Sequence, residues 1–210
     1  MGSTAILPDD LSHTIEGLGQ RIAKKWSKRN LPWYAEEKAR SGSFAAFAGL
    51  EIVCGLAASR VFRCVALGDC CLFFERDGVP RRAFPMEDAD EFGNRPLLIP
   101  SRPPIRNVLE NAPALFEQDA RPGDVFLLMS DAIAQWYLRH AWSSLSLRSR
   151  LHMLLRQCVW EDLAGFVEHE REAGRLRNDD VAIVRVALLP CDPAICDRLE
   201  EYTRAEANDP

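Results

Sequence analysis

The sequence predicts an α+β domain in which antiparallel sheets are covered by helices. Apolar residues recur at helical spacing near the start of the chain. Strand-like apolar runs then cluster between residues 43 and 84, and a second set of strands and helices fills the C-terminal half. There is no strict alternation of strand and helix of the kind that builds a parallel sheet, so the elements sort into sheets with separate helical cover. A chain of 210 residues, 47% of them hydrophobic, is long enough to bury one substantial core, and it reads as a single domain spanning 1–210.

Leu11, Ile15, Leu18, Ile22 and Trp26 fall three and four apart, with Asp9, Asp10 or Ser12 available as a cap and Lys24, Lys25, Lys28 and Arg29 towards the far end. This spacing predicts an amphipathic helix over about 11–29, stopped by Pro32. A short helix is expected over 33–40. From Ser43 to Arg76 the texture turns β-branched, aromatic and apolar. Breaks near Gly55–Ser59 and at Gly68-Asp69 divide it into three consecutive strands. Asp77-Gly78 predicts a hairpin turn, and Val79 to Phe84 a short fourth strand closed by Pro85.

The stretch from Glu87 to Arg121 is rich in Pro, Asn and charged residues and is expected to be mostly irregular. Asp124 to Ser130 reads as a buried strand running into Asp131, with a helix through Ile133, Trp136, Tyr137 and His140. Two helices are expected between Leu147 and Arg175, a strand from Val181 to Leu189, and a last helix over about 193–205.

The formal charge of −5 arises from 31 acidic and 26 basic residues spread along the chain. No segment concentrates positive charge as a phosphate backbone requires, which argues against nucleic acid as a partner. The most apolar stretch, Phe44 to Ala58, is broken by Glu51, so no membrane span is predicted. Residues 1–10 show neither a basic start with an apolar block nor a cleavage site, which predicts a cytoplasmic protein. Seven cysteines, several inside apolar runs, suit a reducing compartment in which thiols act as small hydrophobes.

Three aspartates stand at predicted strand ends: Asp69 after Gly68, Asp131 after Ser130, and Asp179 just before the last strand. A hard divalent ion needs several oxygen ligands, and strand ends can hold carboxylates in fixed places while leaving positions for water. Each aspartate taken singly could equally cap a turn or a helix.

Their flanking residues form a pattern. Val65-Ala-Leu-Gly-Asp-Cys70 followed by Leu72-Phe-Phe-Glu-Arg-Asp-Gly78, then Asp124-Val-Phe-Leu-Leu-Met-Ser-Asp131, then Arg177-Asn-Asp-Asp-Val-Ala-Ile-Val184 resemble, in order and spacing, three motifs of the metal-dependent type 2C serine/threonine protein phosphatases. The resemblance covers about Ser41 to Val186. It implies an αββα sandwich of two antiparallel sheets, and hydrolysis of phosphoserine and phosphothreonine by a metal-activated water. It also implies Mn²⁺ or Mg²⁺ as cofactor, with Asp131 and Asp179 on a first metal and Asp69, with Asp131, on an auxiliary one. The partner would be a phosphoprotein substrate, in bacterial-type signalling.

The chain departs from the family at its N-terminal side. The family's Asp-Gly motif, whose carboxylate bridges two metals, has no counterpart in residues 1–40, so the domain reads as N-terminally shortened. Ala132 also stands where the family has Gly, and Cys70 where it has Ser. Two functions are therefore expected: a metal-dependent phosphatase, or a catalytically impaired relative that binds a partner protein or phosphopeptide.

Overall fold

The computed structural model describes residues 13–14, 17–21, 24–25, 32, 42–54, 60–93, 96–101 and 114–190. The first expected helix is helical at 13–14, 17–21 and 24–25, where it is described. The helices expected over 33–40 and 193–205 lie outside the described residues.

Among the described residues nine strands follow in chain order: β1 (Phe44–Ala45), β2 (Phe47–Cys54), β3 (Arg60–Leu67), β4 (Cys71–Arg76), β5 (Val79–Phe84), β6 (Ile99–Pro100), β7 (Ala114–Ala120), β8 (Val125–Met129) and β9 (Ile183–Ala187). Three helices lie between β8 and β9: α1 (Asp131–Trp136), which continues through a wider turn over Tyr137–Ala141, α2 (Leu145–Gln157) and α3 (Trp160–Glu172). One sheet has the order β2-β3-β7 and a second β5-β4-β8-β9, with β1 and β6 forming a small separate pair. Every pairing is antiparallel.

The two larger sheets face each other. Successive side chains on a strand point to opposite faces, so each strand of the four-stranded sheet serves two cores. Leu72 and Phe74 of β4 and Phe126 of β8 meet Phe62 and Cys64 of β3 between the sheets. Phe62 lies 4.7 Å from Phe126 and 5.0 Å from Phe74, ring centre to ring centre. The alternate residues Phe73, Leu127 and Met129 pack under Trp136, Tyr137, Leu151 and Phe166 of the helical layer. Fully burying each such side chain contributes roughly 1.5–3 kcal/mol. The expected α+β sandwich of antiparallel sheets with helical cover is thus the observed architecture.

Two local expectations are corrected. The stretch from Glu87 to Arg121 is not simply irregular, for it holds β6, β7 and a short turn over Ala89–Glu91 capped by Asp88. In β7 the alternation is real but carried by few apolar residues. Phe116 turns inward onto Phe62, while Glu117 faces out to pair with Arg63. An edge strand covered on one face tolerates this polarity. The strands expected in sequence from Ser43 to Arg76 also do not share one sheet, because the chain changes sheets between β3 and β4. Gly68 makes that crossing at a φ of +95°, where a Cβ would stand 2.8 Å from the Ala46 Cβ.

Candidate metal-binding corner

Sheet register brings the three aspartates to one edge. In β4 and β8 Cys71 is paired with Met129, so Asp69 and Asp131 stand just beyond adjacent strand ends, near enough for the Asp131 charge to act on Asp69. In β8 and β9 Met129 is paired with Ile183, and Ser130 extends this ladder beyond the strand ends. Its N–H donates to the Ala182 carbonyl at 3.0 Å, its hydroxyl accepts from the Ala182 N–H at 3.0 Å, and the same hydroxyl donates to the Asp180 carbonyl at 3.1 Å. The Ser130 side chain therefore pins the 179–182 segment beside Asp131 and makes no cap bond to α1.

The shared neighbourhood shows in the electrostatics. The Asp69 carboxyl is held above its ordinary range by burial and by the negative charges of Asp131 and Asp179. Its own backbone N–H and Arg177 act in the opposite direction. The Cys70 thiol is also pushed up, by burial and then by Asp69 and Asp131. Asp131 and Asp179 open to solvent, their side chains 22% and 53% exposed.

Arg177 was not singled out by the sequence, yet it is central here. Its Nη2 donates to Asp131 Oδ2 and lies 3.6 Å from Asp179 Oδ2, so one guanidinium spans the two carboxylates. The loop carrying it is anchored at both ends. Buried Glu170 on α3 accepts from Arg175 Nε and Nη2, each at 2.7 Å, and from Trp136 Nε1 at 2.9 Å. Arg171 Nη2 donates to the Asp179 carbonyl at 2.5 Å. An arginine before an Asp-Asp pair carries no signal of this role by itself, since the contact exists only once β8 and β9 are paired.

Asp179 also keeps part of the turn role that short polar residues often have, because its Oδ1 accepts from the Asp180 N–H at 2.9 Å. The Ala132 substitution costs nothing visible. Ala132 is buried within α1 and is not at positive φ. His140, on the wider turn after α1, packs against Trp136.

The donor chemistry suits a hard divalent cation, since Asp69, Asp131 and Asp179 offer only carboxylate oxygens at one solvent-facing edge. Among the described residues, however, no three His, Cys, Asp or Glu side chains already stand close enough together to hold one ion. The corner is closed on Arg177. For Asp131 and Asp179 to ligate a cation, this guanidinium must turn out to solvent.

No family model matches the chain, and no curated relative matches it. The solved structures similar to it include phosphatases. One is the Mycobacterium tuberculosis serine/threonine phosphatase PstP/Ppp, with 18% identity, a TM-score of 0.49, and coverage of 89% of this chain and 74% of that one. The PstP catalytic domain is also solved in complex with two manganese ions, again with 18% identity and a TM-score of 0.49, covering 90% of this chain and 74% of that one. The phosphatase domain of the Bacillus subtilis cell fate determinant SpoIIE has 15% identity and a TM-score of 0.36, covering 92% of this chain and 79% of that one. Among the described residues no helix is long and apolar enough to cross a membrane.

Proposed function

We propose that this chain is a phosphatase-like domain of the metal-dependent type 2C class. Its Asp69, Asp131 and Asp179 corner would take Mn²⁺ or Mg²⁺, and its substrate would be a phosphoserine or phosphothreonine protein in a bacterial-type cytoplasm. The observation that carries the proposal is the convergence of the three aspartates, from separate strand ends, on one edge of the four-stranded sheet. A bound divalent ion supplies a water of lowered pKa and neutralises charge on phosphoryl oxygens.

The chain's own residues set the conditions for this chemistry. Asp131, on the rigid start of α1, and Asp179, held by Ser130 and Arg171 through the 179–182 segment, fix two ligand positions. Asp69 adds a third, partly buried carboxylate, whose carboxyl is held above its ordinary range first by burial. Arg177 neutralises the pair when no metal is bound, and once displaced it leaves a cationic group beside the site, suited to a phosphoryl oxygen.

The same Arg177 contact favours a second function, in which the corner stays closed and the domain binds a phosphopeptide or partner protein without turnover. Hydrolysis of p-nitrophenyl phosphate and of a phosphothreonine peptide, measured with and without Mn²⁺, separates the two. The phosphatase predicts Mn²⁺-dependent turnover that falls by at least about a hundredfold in Asp131→Asn. A folded protein that binds the phosphopeptide, shows no turnover and takes up no Mn²⁺ by calorimetry would establish the second function and dismiss the first.

A further inference from the structure

The opposite end of β4 carries a second, chemically inverted site. Glu75 lies six residues along from Asp69, roughly 20 Å away at about 3.3 Å per residue. It is 2% exposed and faces the helical layer, paired across the sheet with Val125. Above it, α2 presents Arg148, His152 and Arg156, four residues apart and therefore on one stripe of the helix. A cavity of about 370 Å³ opens between α2 and the sheet, lined by these three residues and Glu75 together with Gly123 and Val125. That volume falls within the range of small-molecule sites.

The polar groups around this cavity are cationic and incompletely satisfied. Glu75 accepts from the Tyr137 hydroxyl, and its other oxygen lies 2.9 Å from His152 Nε2. Arg148 donates from Nη1 to the carbonyls of Ala141 and Trp142 at 3.0 and 2.6 Å, which locks the guanidinium in place. Arg148 and His152 are 8% and 9% exposed, yet Arg148 Nε and His152 Nδ1 have no hydrogen-bond partner among the described residues.

Arg185 of β9 adds to this set. It is paired with Leu127, so it shares the helix-facing side of the sheet, and its buried Nε is likewise without a partner. Its pKa is lowered by burial and by the like charge of Arg156, with Glu75 opposing. Three guanidinium groups thus face one carboxylate, and buried donors left without acceptors cost about 1–3 kcal/mol each. Ordered water or a bound acceptor relieves such donors, and with several cations gathered here an acceptor carrying negative charge fits best.

We propose that the cavity between α2 and the β4-β8-β9 face binds a small oxyanion, a phosphate or carboxylate group, held by Arg148, Arg156 and His152, with Arg185 as a neighbouring cation that adds to the positive field. The site is separate from the aspartate corner and does not rest on the proposed phosphatase function. Both ligand sources share the chemistry of two or more oxygens presented to arginine forks.

The test is thermal denaturation and calorimetry of the full chain at constant ionic strength, with inorganic phosphate and citrate as the two probes and chloride as the control. Saturable stabilisation by one or both probes, but not by chloride, is expected, and the stronger probe identifies the source. Arg156 is exposed and makes no structural bond among the described residues, so Arg156→Gln should fold normally and weaken binding by roughly three- to tenfold. Arg185→Gln supplies a second readout. Removing a partly buried cation that stands beside the like charge of Arg156 should raise the melting temperature without anion, while shrinking the rise that the anion produces. Stabilisation by neither probe at millimolar concentration, or binding that Arg156→Gln and Arg185→Gln both leave unchanged, would overturn the proposal.

Discussion

Glu170→Ala is the substitution through which the aspartate corner should be most sensitive to a distant change. Glu170 lies on α3, 1% exposed, and gathers Trp136 of α1 and Arg175 of the following loop onto one carboxylate. Its backbone carbonyl also accepts from the N–H groups of Arg175 and Leu176, so the turn closing α3 is built on this residue. The alanine variant leaves the buried Trp136 N–H without a partner, which costs about 1–3 kcal/mol. It also removes one buried methylene, at about 0.8 kcal/mol. The Arg175 pair adds little, because that side chain is 39% exposed and can turn to water. The sum, roughly 2–4 kcal/mol, corresponds to a fall in melting temperature of about 10 °C for a chain of this length. Urea denaturation with a calorimetric scan measures it.

The pH dependence of Glu170→Gln checks the cause. Hydrogen bonds from Arg175 hold the Glu170 carboxyl below its ordinary range, against the opposing effect of burial, with Trp136 adding to the lowering. A lowered folded-state pKa contributes stability above the unfolded value of 4.5, lost as pH falls through the folded value. The stability gap between the wild type and Glu170→Gln should therefore be full near pH 7 and close progressively below about pH 4.5. A loss under about 1 kcal/mol in Glu170→Ala, or a gap that widens on acidification, would refute the reasoning.

Arg177→Gln should tighten Mn²⁺ binding at the corner roughly tenfold by calorimetry, because it removes the cation bridging Asp131 and Asp179. The charge effect is screened at this partly open site. Unchanged affinity would show that the guanidinium does not compete with metal. Gly68→Ala should destabilise the fold by about 1–3 kcal/mol in thermal denaturation, since the new Cβ meets Ala46 at a backbone angle that side chains disfavour. A change below about 0.5 kcal/mol would mean that the crossing between sheets relaxes freely.

The positions of Asp69, Asp131 and Asp179 were legible because each sits at the end of a run whose apolar alternation marks a strand. Antiparallel pairing then brings such ends together without further information. Arg177 was not legible, since an arginine in a polar loop acquires its partners only from the register between β8 and β9. β7 escaped notice for a related reason. Its alternation rests on few apolar residues beside Glu117 and Asp119, and the prolines before it gave the whole region the composition of a loop. The oxyanion cavity was hidden more deeply, because Glu75 is embedded in an apolar strand and its cationic partners are scattered over α2 and β9. These cases share one physical cause: local periodicity reports which face a residue takes, whereas charge compensation depends on which faces meet. β4 joins the two outcomes on one strand, with Asp69 entering a carboxylate cluster closed by a single arginine and Glu75 entering an arginine cluster closed by a single carboxylate. In the first the surplus charge invites a cation and in the second an anion, so the ions that stabilise this protein should differ in sign from one end of the sheet to the other.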